Sequence, residues 1–122
     1  MVPSKNLQMV RASTFSADIA ITQDSTGAAV NLTNGTLLFT CKWAYTDTDA
    51  AAIFTLSSPA SGITILSASE GTANITIPAS ATSTLPYDTV YLYYDLKFTD
   101  ASSFPWIVMR GILTVNPNVT RT

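Results

Sequence analysis

The stretch TVYLYYDLKFTD (residues 89–100) alternates with period two over its whole length, yet large rings occur on both of its faces. Such alternation predicts a β-strand, because successive side chains of a strand point to opposite sides of the sheet. One face is apolar and is expected to be core: Val90, Leu92, Tyr94, Leu96 and Phe98. The other face carries two tyrosines beside polar residues: Tyr91, Tyr93, Asp95, Lys97 and Thr99. What this second face contacts is therefore the first question about function.

The next segment, WIVMRGILTV (residues 106–115), can be paired with this strand residue by residue. An antiparallel register that places Tyr94 opposite Gly111 and Asp95 opposite Arg110 keeps each face intact, whereas a shift of one residue would mix the faces. It predicts a cross-strand ion pair at Asp95 and room at Gly111 for the tyrosine ring to lie across the neighbouring strand. Towards the turn, the same register pairs Lys97 with Val108, Phe98 with Ile107 and Thr99 with Trp106.

The outer face of this hairpin is predicted to be a protein interface. The register adds three apolar side chains of the second strand to the two tyrosines, so the candidate interface residues are Tyr91, Tyr93, Trp106, Val108 and Ile112. A contiguous apolar surface of this kind marks an interaction site when it is exposed. Two interpretations stay open: the face docks to another protein, or a loop or the N-terminal segment of the same chain covers it.

The remainder of the chain also predicts short strands. β-Branched and aromatic residues alternate between turn signals, and helical turns are expected only within residues 47–52 and 78–86. The predicted strands cover residues 6–11, 14–23, 36–45, 52–56, 63–66, 72–78, 89–100 and 106–115. In the third of them, one inward face is predicted to hold Leu37, Phe39, Cys41 and Trp43.

This succession of strands predicts an all-β fold, an antiparallel β-sandwich of about seven strands, rather than a parallel α/β sheet. Residues 1–122 are expected to form one domain, because this length allows a proper core. Residues 1–8 are expected to be an extended N-terminal segment and residues 116–122 a C-terminal tail.

Composition narrows the classes of partner. Charged residues make up only 11% of the chain, against about 25% in a typical soluble domain. Either partners cover much of a surface rich in Thr, Ser, Ala and Asn, or the hydroxyl groups alone keep the protein soluble. The net charge is -2 and the six basic residues are scattered along the sequence, so no nucleic-acid partner is expected. The chain has neither the apolar core of a signal peptide nor a run long enough to span a bilayer, so no membrane partner is expected.

The residue types needed for catalysis are largely missing. The chain has no histidine, which excludes a histidine-based triad and a zinc site of the usual kind. Cys41, on an inward face, is interpreted as a small buried hydrophobe rather than a nucleophile. Asp47 and Asp49 could form a calcium pair but are interpreted as turn or helix caps. We therefore expect no enzymatic activity, no cofactor and no metal.

Five segments in order carry a resemblance to a known family. These segments are VRASTF, DSTGAAVNLTNGTLLFTCKW, TDTDAAAIFTLSSPASGITI, EGTANITIPASATSTLP and YLYYDLKFTDASSFPWIVMRGILTVNPNVT. With them the chain resembles, from about residue 9 to residue 120, the N-terminal domain of phage baseplate upper proteins and related small stand-alone virion proteins. The resemblance implies an Ig-like sandwich with a structural, non-catalytic role in the virion.

On this basis the chain is expected to be a virion protein that docks to other phage virion proteins and to copies of itself, in contacts like those of obligate interfaces. The tail, baseplate or fibre attachment region is the first expected location, and a head decoration or neck position is the alternative. A different class of function stays open, in which the rings of Tyr91, Tyr93 and Trp106 stack on a host surface glycan.

Overall fold

The computed structural model describes residues 5–22, 28–44, 46–58 and 62–119. In this part of the chain, nearly all regular structure is β-strand, and the two helical elements are single 3-10 turns at Asp49–Ala51 and Ala79–Ala81. Both turns lie within the segments where the sequence predicts them. The strands are β1 (Leu7–Val10), β2 (Phe15–Ala20), β3 (Thr36–Lys42), β4 (Phe54–Ser58), β5 (Ile63–Ser67), β6 (Thr72–Ile77), β7 (Val90–Thr99) and β8 (Pro105–Asn116).

These strands form two sheets with the core between them. The larger sheet has the order β1-β8-β7-β3-β4 and the smaller has the order β2-β6-β5, so the chain passes repeatedly from one sheet to the other. This is the arrangement of Ig-like sandwiches, and it confirms the predicted fold class with eight described strands instead of about seven. One pairing departs from the antiparallel expectation, because β1 runs parallel to β8.

The terminal segments contribute to the larger sheet. Leu7 and Gln8, expected in an extended N-terminal segment, begin β1, and Asn116, expected in the tail, ends β8. Residues 1–4 and 120–122 of those two predicted segments lie outside the described residues.

The core contains the inward faces of the central strands. Phe39 of β3 stacks on Tyr94 of β7, with ring centroids 4.9 Å apart, and on Phe54 of β4 at 6.0 Å. The prediction that Trp43 belongs to the same inward row is wrong. Since β3 ends at Lys42, Trp43 lies beyond the sheet and is 47% exposed.

The hairpin of β7 and β8 has the predicted register over most of its length. Tyr94 pairs with Gly111, Asp95 with Arg110, and the match continues to Leu96 opposite Met109. A β-bulge then shifts the register by one residue. Beyond it Lys97 pairs with Ile107, Phe98 with Trp106 and Thr99 with Pro105, so the three predicted pairs nearest the turn are wrong.

The physical reason for this error lies in the sequence of β8. Trp106, Ile107, Val108 and Met109 are four consecutive apolar residues, so alternation does not distinguish the two registers there. The extra residue in β8 leaves Val108 and Met109 both buried, as expected where two residues of a bulged strand oppose one residue of its partner.

The N-terminal segment packs against β8 beside Gly111. The ring of Tyr94 crosses Gly111, and its hydroxyl donates a hydrogen bond to the Lys5 carbonyl oxygen, while the Lys5 amide donates to the Arg110 carbonyl at 2.8 Å. A Cβ atom at position 111 would overlap the Lys5 carbonyl oxygen and lie 3.1 Å from Tyr94 Cε2. Only glycine leaves space for this contact, as the predicted covering of the glycine by an aromatic ring requires.

A buried arginine ties three distant segments together. Arg11 is only 7% exposed, and its Nε donates to the Leu85 carbonyl at 2.7 Å. Its two terminal nitrogens donate to the Ser83 carbonyl and, at 3.1 Å, to Asn118 Oδ1. The guanidinium carbon lies 4.1 Å from the centroid of the Tyr87 ring. These contacts hold the chain after β1, the connection before β7 and the segment after β8 in fixed relative positions.

Candidate protein interface

The solvent side of the larger sheet carries rings, aliphatic side chains and charges in a regular array, which is called the outer face below. It is defined by three rows of residues that lie directly opposite each other on β3, β7 and β8. The rows are Leu38–Lys97–Ile107, Thr40–Asp95–Arg110 and Lys42–Tyr93–Ile112, and Tyr91 lies beyond the last row beside Thr114.

Three of the five predicted interface residues lie on the outer face. Tyr91 is 63% exposed, and Tyr93 and Ile112 are direct cross-strand partners that are each half-buried. None of the described loops covers Tyr91. The N-terminal segment lies beside β8, where Asn6 Oδ1 accepts a hydrogen bond from the Ile112 amide at 3.1 Å. The described residues thus give no support to the interpretation that the chain covers this surface itself.

The other two predicted interface residues are not on the outer face. Val108 is only 5% exposed and belongs to the core. Trp106 is half-buried and packs against the core, with its ring centroid 5.9 Å from that of Phe98. The bulge is the cause, because the shift by one residue turns Trp106 inward and brings Ile107 to the solvent side beside Lys97. The outer face is therefore less apolar than the sequence predicts.

A shallow depression of about 190 Å³ lies in the middle of the outer face. Its lining mixes aliphatic, hydroxyl and charged groups from all three strands: Leu38, Thr40, Lys42, Tyr93, Tyr94, Asp95, Lys97 and Ile107. Lys42 Nζ also donates a hydrogen bond to the Asp47 carbonyl at 2.9 Å, which ties the loop after β3 to the rim of the depression.

The pairing of the strands concentrates basic residues that are scattered in the sequence. Lys42, Lys97 and Arg110 all lie on the outer face, around the single carboxylate of Asp95. Arg110 is the direct cross-strand partner of Asp95, and Lys97 lies two residues further along β7 on the same side. Strand pairing was needed to find this cluster, because position 42 is far from positions 97 and 110 in the chain.

The solvent side of the smaller sheet is different in kind. Asn74 Nδ2 donates to Asp18 Oδ1 at 2.8 Å and to Ser16 Oγ at 3.0 Å, and the Thr76 hydroxyl donates to Asn74 Oδ1 at 2.8 Å. Polar side chains that satisfy each other in this way need no partner. Leu66 of β5 is an exposed aliphatic side chain of this sheet, so the two faces differ in that, among the described residues, the outer face combines rings and aliphatic groups with a charge cluster.

Cys41 and Asp47, two of the residues considered for chemistry from the sequence, both have structural surroundings. Cys41 is buried, and desolvation raises the pKa of its thiol from 9.0 to about 12. Asp47 Oδ2 accepts a hydrogen bond from the Ala44 amide at 3.1 Å, in keeping with a role as a turn cap. Among the described residues, no three His, Cys, Asp or Glu side chains lie close enough together to hold a metal ion. No helix there is long and apolar enough to span a membrane.

Comparisons with known proteins concern the fold alone. No protein-family model matches the chain, and no curated protein matches it at a significant level. Among solved structures, the periplasmic chaperone SfaE is similar over 96% of this chain and 55% of its own, with a TM-score of 0.47 and 14% identity. A 2,6-sialyltransferase of a Vibrionaceae Photobacterium species, in complex with CMP and lactose, is similar over 95% of this chain and 18% of its own, with a TM-score of 0.36 and 9% identity. The chain thus spans about half the length of the chaperone and less than a fifth of the transferase.

Proposed function

We propose that this chain is a non-enzymatic structural protein of a bacteriophage virion, which docks to other virion proteins through the outer face of its larger sheet. One observation carries the docking role: Tyr91 is 63% exposed on the outer face beside the half-buried Tyr93 and Ile112, whereas the polar side chains of Ser16, Asp18 and Asn74 on the smaller sheet bond to each other. The resemblance of the ordered sequence segments to phage virion proteins gives this docking role its context.

The low charge of the chain supports the same proposal. Charged residues make up 11% of the sequence, so much of the surface lacks the groups that normally keep a free protein dispersed. A subunit that is surrounded by neighbours in a particle does not need those groups. We place the protein first in the tail, baseplate or fibre attachment region, and second at a head decoration or neck position.

The incorporation of variants into particles tests this proposal. A phage that lacks the gene is grown on cells that supply either the wild-type protein or Tyr91→Asp, and purified particles are analysed by quantitative mass spectrometry. Because Tyr91 is mostly exposed, its substitution should leave the fold intact and reduce incorporation by about tenfold or more, as expected for loss of an aromatic anchor. Thr64→Asp, an exposed position on the smaller sheet, is the matched control and should be incorporated normally. Absence of the wild-type protein from purified particles would refute the virion role.

A glycan-binding module is the second candidate, and the structure offers one observation in its favour. The depression on the outer face places the side chains of Thr40, Lys42 and Asp95 beside the ring of Tyr93, which is a combination of stacking and hydrogen-bonding groups that a sugar can use. A glycan array with the purified protein separates the two functions. Binding to a defined glycan that Tyr93→Ala abolishes, together with normal incorporation of Tyr91→Asp into particles, would favour the module.

A further inference from the structure

We propose that the partner surface that docks on the outer face is an acidic protein surface on a different chain, and that a second copy of the same face is not the partner. This inference rests on the proposed docking function and names the chemistry of the partner. The observation behind it is the juxtaposition of Lys42, Lys97 and Arg110 around Asp95.

The balance of charge on the molecule is uneven. The outer face holds three of the six basic side chains but only one of the eight acidic ones, which gives it a charge of +2 in a chain whose net charge is -2. The remaining residues therefore carry a net charge of -4. The outer face is a positive area on an acidic protein, so it attracts partners that the remainder of the surface repels.

Each of the three cations lies within about 8 Å of Asp95 along the sheet. Neighbouring strands lie about 4.8 Å apart, and residues on one side of a strand repeat about every 6.7 Å. By these spacings Lys97 and Arg110 are about 8 Å apart, close to the Debye length at physiological ionic strength, whereas Lys42 is about 12 Å or more from each of them and is largely screened from both. The carboxylate at position 95 offsets one unit of this charge, so the outer face as a whole keeps a positive charge that favours carboxylates of a partner.

The other side chains on the face favour a protein over other anions. Leu38, Ile107 and Ile112 lie between the charges, and they require apolar groups from whatever covers them. Asp95 lies at the centre, where it would repel the continuous phosphate backbone of a nucleic acid. Discrete carboxylates can instead lie to either side of it, next to the cations.

The same charges oppose docking of the face on itself. In a two-fold symmetric contact, the same surface of each copy meets the other. Two surfaces that each carry +2 would repel, and like charges placed opposite each other in an interface are strongly unfavourable. Copies of the chain can therefore be neighbours in a particle only through other surfaces.

The inference is tested by adding synthetic peptides to the isotope-labelled full chain and measuring the changes in its amide chemical shifts. The probes are a short peptide in which Asp alternates with Leu, its counterpart with Asn in place of Asp, and a single-stranded oligonucleotide of similar length. We expect the Asp peptide to shift the amides of β3, β7 and β8, and to bind more weakly as salt is added. The Asn peptide should not bind measurably.

Charge-neutralising variants complete the test. Replacing two cations by Lys97→Gln and Arg110→Gln should weaken binding of the Asp peptide by roughly three- to tenfold, the range expected for a pair of partly exposed ion pairs. Lys5→Gln, at an exposed lysine outside the outer face, makes the same chemical change and should have no effect.

Three results would overturn the inference: equal binding of the Asn peptide, tighter binding of the oligonucleotide, or a concentration-dependent dimer in sedimentation that Tyr91→Asp disrupts. The virion role is tested separately, by incorporation of the protein into particles. If the protein were absent from particles, its preference for the Asp peptide over the Asn peptide would be unaffected, so the two failures can be distinguished.

Discussion

Substitution of Gly111 by alanine tests how the N-terminal segment completes the larger sheet. The added methyl group would lie 2.7 Å from the Lys5 carbonyl carbon, whereas unstrained carbon contacts are about 3.5 to 4.0 Å. Lys5 must therefore move by about 1 Å. This shift breaks two hydrogen bonds, one from the Lys5 amide to the Arg110 carbonyl oxygen and one from the Tyr94 hydroxyl to the Lys5 carbonyl oxygen. Each lost hydrogen bond costs about 0.5 to 1.5 kcal/mol, and the Tyr94 hydroxyl loses its partner next to a ring that is only 2% exposed.

Alanine also brings a gain, because it restricts the unfolded chain more than glycine does, by about 0.5 to 1 kcal/mol. The net expectation for Gly111→Ala is a loss of about 1 to 3 kcal/mol in the free energy of unfolding. For a protein of this size, such a loss lowers the midpoint of urea unfolding by roughly 1 M. Tryptophan fluorescence and far-ultraviolet circular dichroism measure this midpoint independently.

A double-mutant cycle with Tyr94→Phe identifies the contact responsible. That substitution keeps the ring over position 111 and removes only the hydroxyl that donates a hydrogen bond to the Lys5 carbonyl oxygen. If Gly111→Ala acts by displacing Lys5, the two losses should overlap, and the double variant should be at least about 0.5 kcal/mol more stable than additivity predicts. A Gly111→Ala protein as stable as the wild type, or strictly additive losses, would refute the reasoning.

Two further predictions concern the core. Trp43→Ala should lower the free energy of unfolding by only about 1 kcal/mol, because the ring is half exposed. Phe39→Ala removes a fully buried ring and should lower it by about 3 to 5 kcal/mol. Urea unfolding measures both losses, and equal losses would contradict the placement of Trp43. Stability should fall at alkaline pH, since Cys41 has a pKa of about 12 in the folded protein against 9.0 as its ordinary value, and the unfolded chain therefore loses this proton first. The contribution is fully present below pH 9 and disappears as the pH approaches 12. Cys41→Ala should therefore flatten the dependence of the urea midpoint on pH over this range, and an unchanged slope would contradict the assignment.

The strands could be predicted from sequence wherever polar and apolar residues alternate strictly. The alternation of β7 fixes its two faces, and Gly111 opposite Tyr94 identifies the register of its partner at a single position. In β6, which lies within the predicted strand 72–78, Ala73, Ile75 and Ile77 alternate with polar residues and are buried. In these segments a shifted register would bury charged or hydroxyl groups, so the pattern has one low-energy solution.

The predicted register and strand end were wrong where the pattern of polar and apolar residues is compatible with more than one structure. The apolar run from Trp106 to Met109 accepts either register, and the bulge is decided by packing of Trp106 on Phe98, which is a tertiary contact. Trp43 continues the alternation of β3 by sequence, but the strand ends one residue earlier. The charge cluster on the outer face was missed for a similar reason, because it depends on the pairing of β3 with β7.

The bulge also changes what kind of docking the outer face can support. With Trp106 and Val108 on the surface, the face would resemble the apolar centre of an obligate interface, in which charged residues are depleted. Their removal to the core leaves Tyr91, Tyr93, Ile107 and Ile112 among four charged side chains. Contacts between charged groups at a partly solvated surface contribute more to the rate and specificity of association than to affinity, and they weaken with salt. Docking through this face should therefore be selective and salt-sensitive. Permanent attachment to a particle would require a second contact elsewhere on the chain, or binding in many copies. Many simultaneous contacts raise the overall affinity even though each single contact is unchanged.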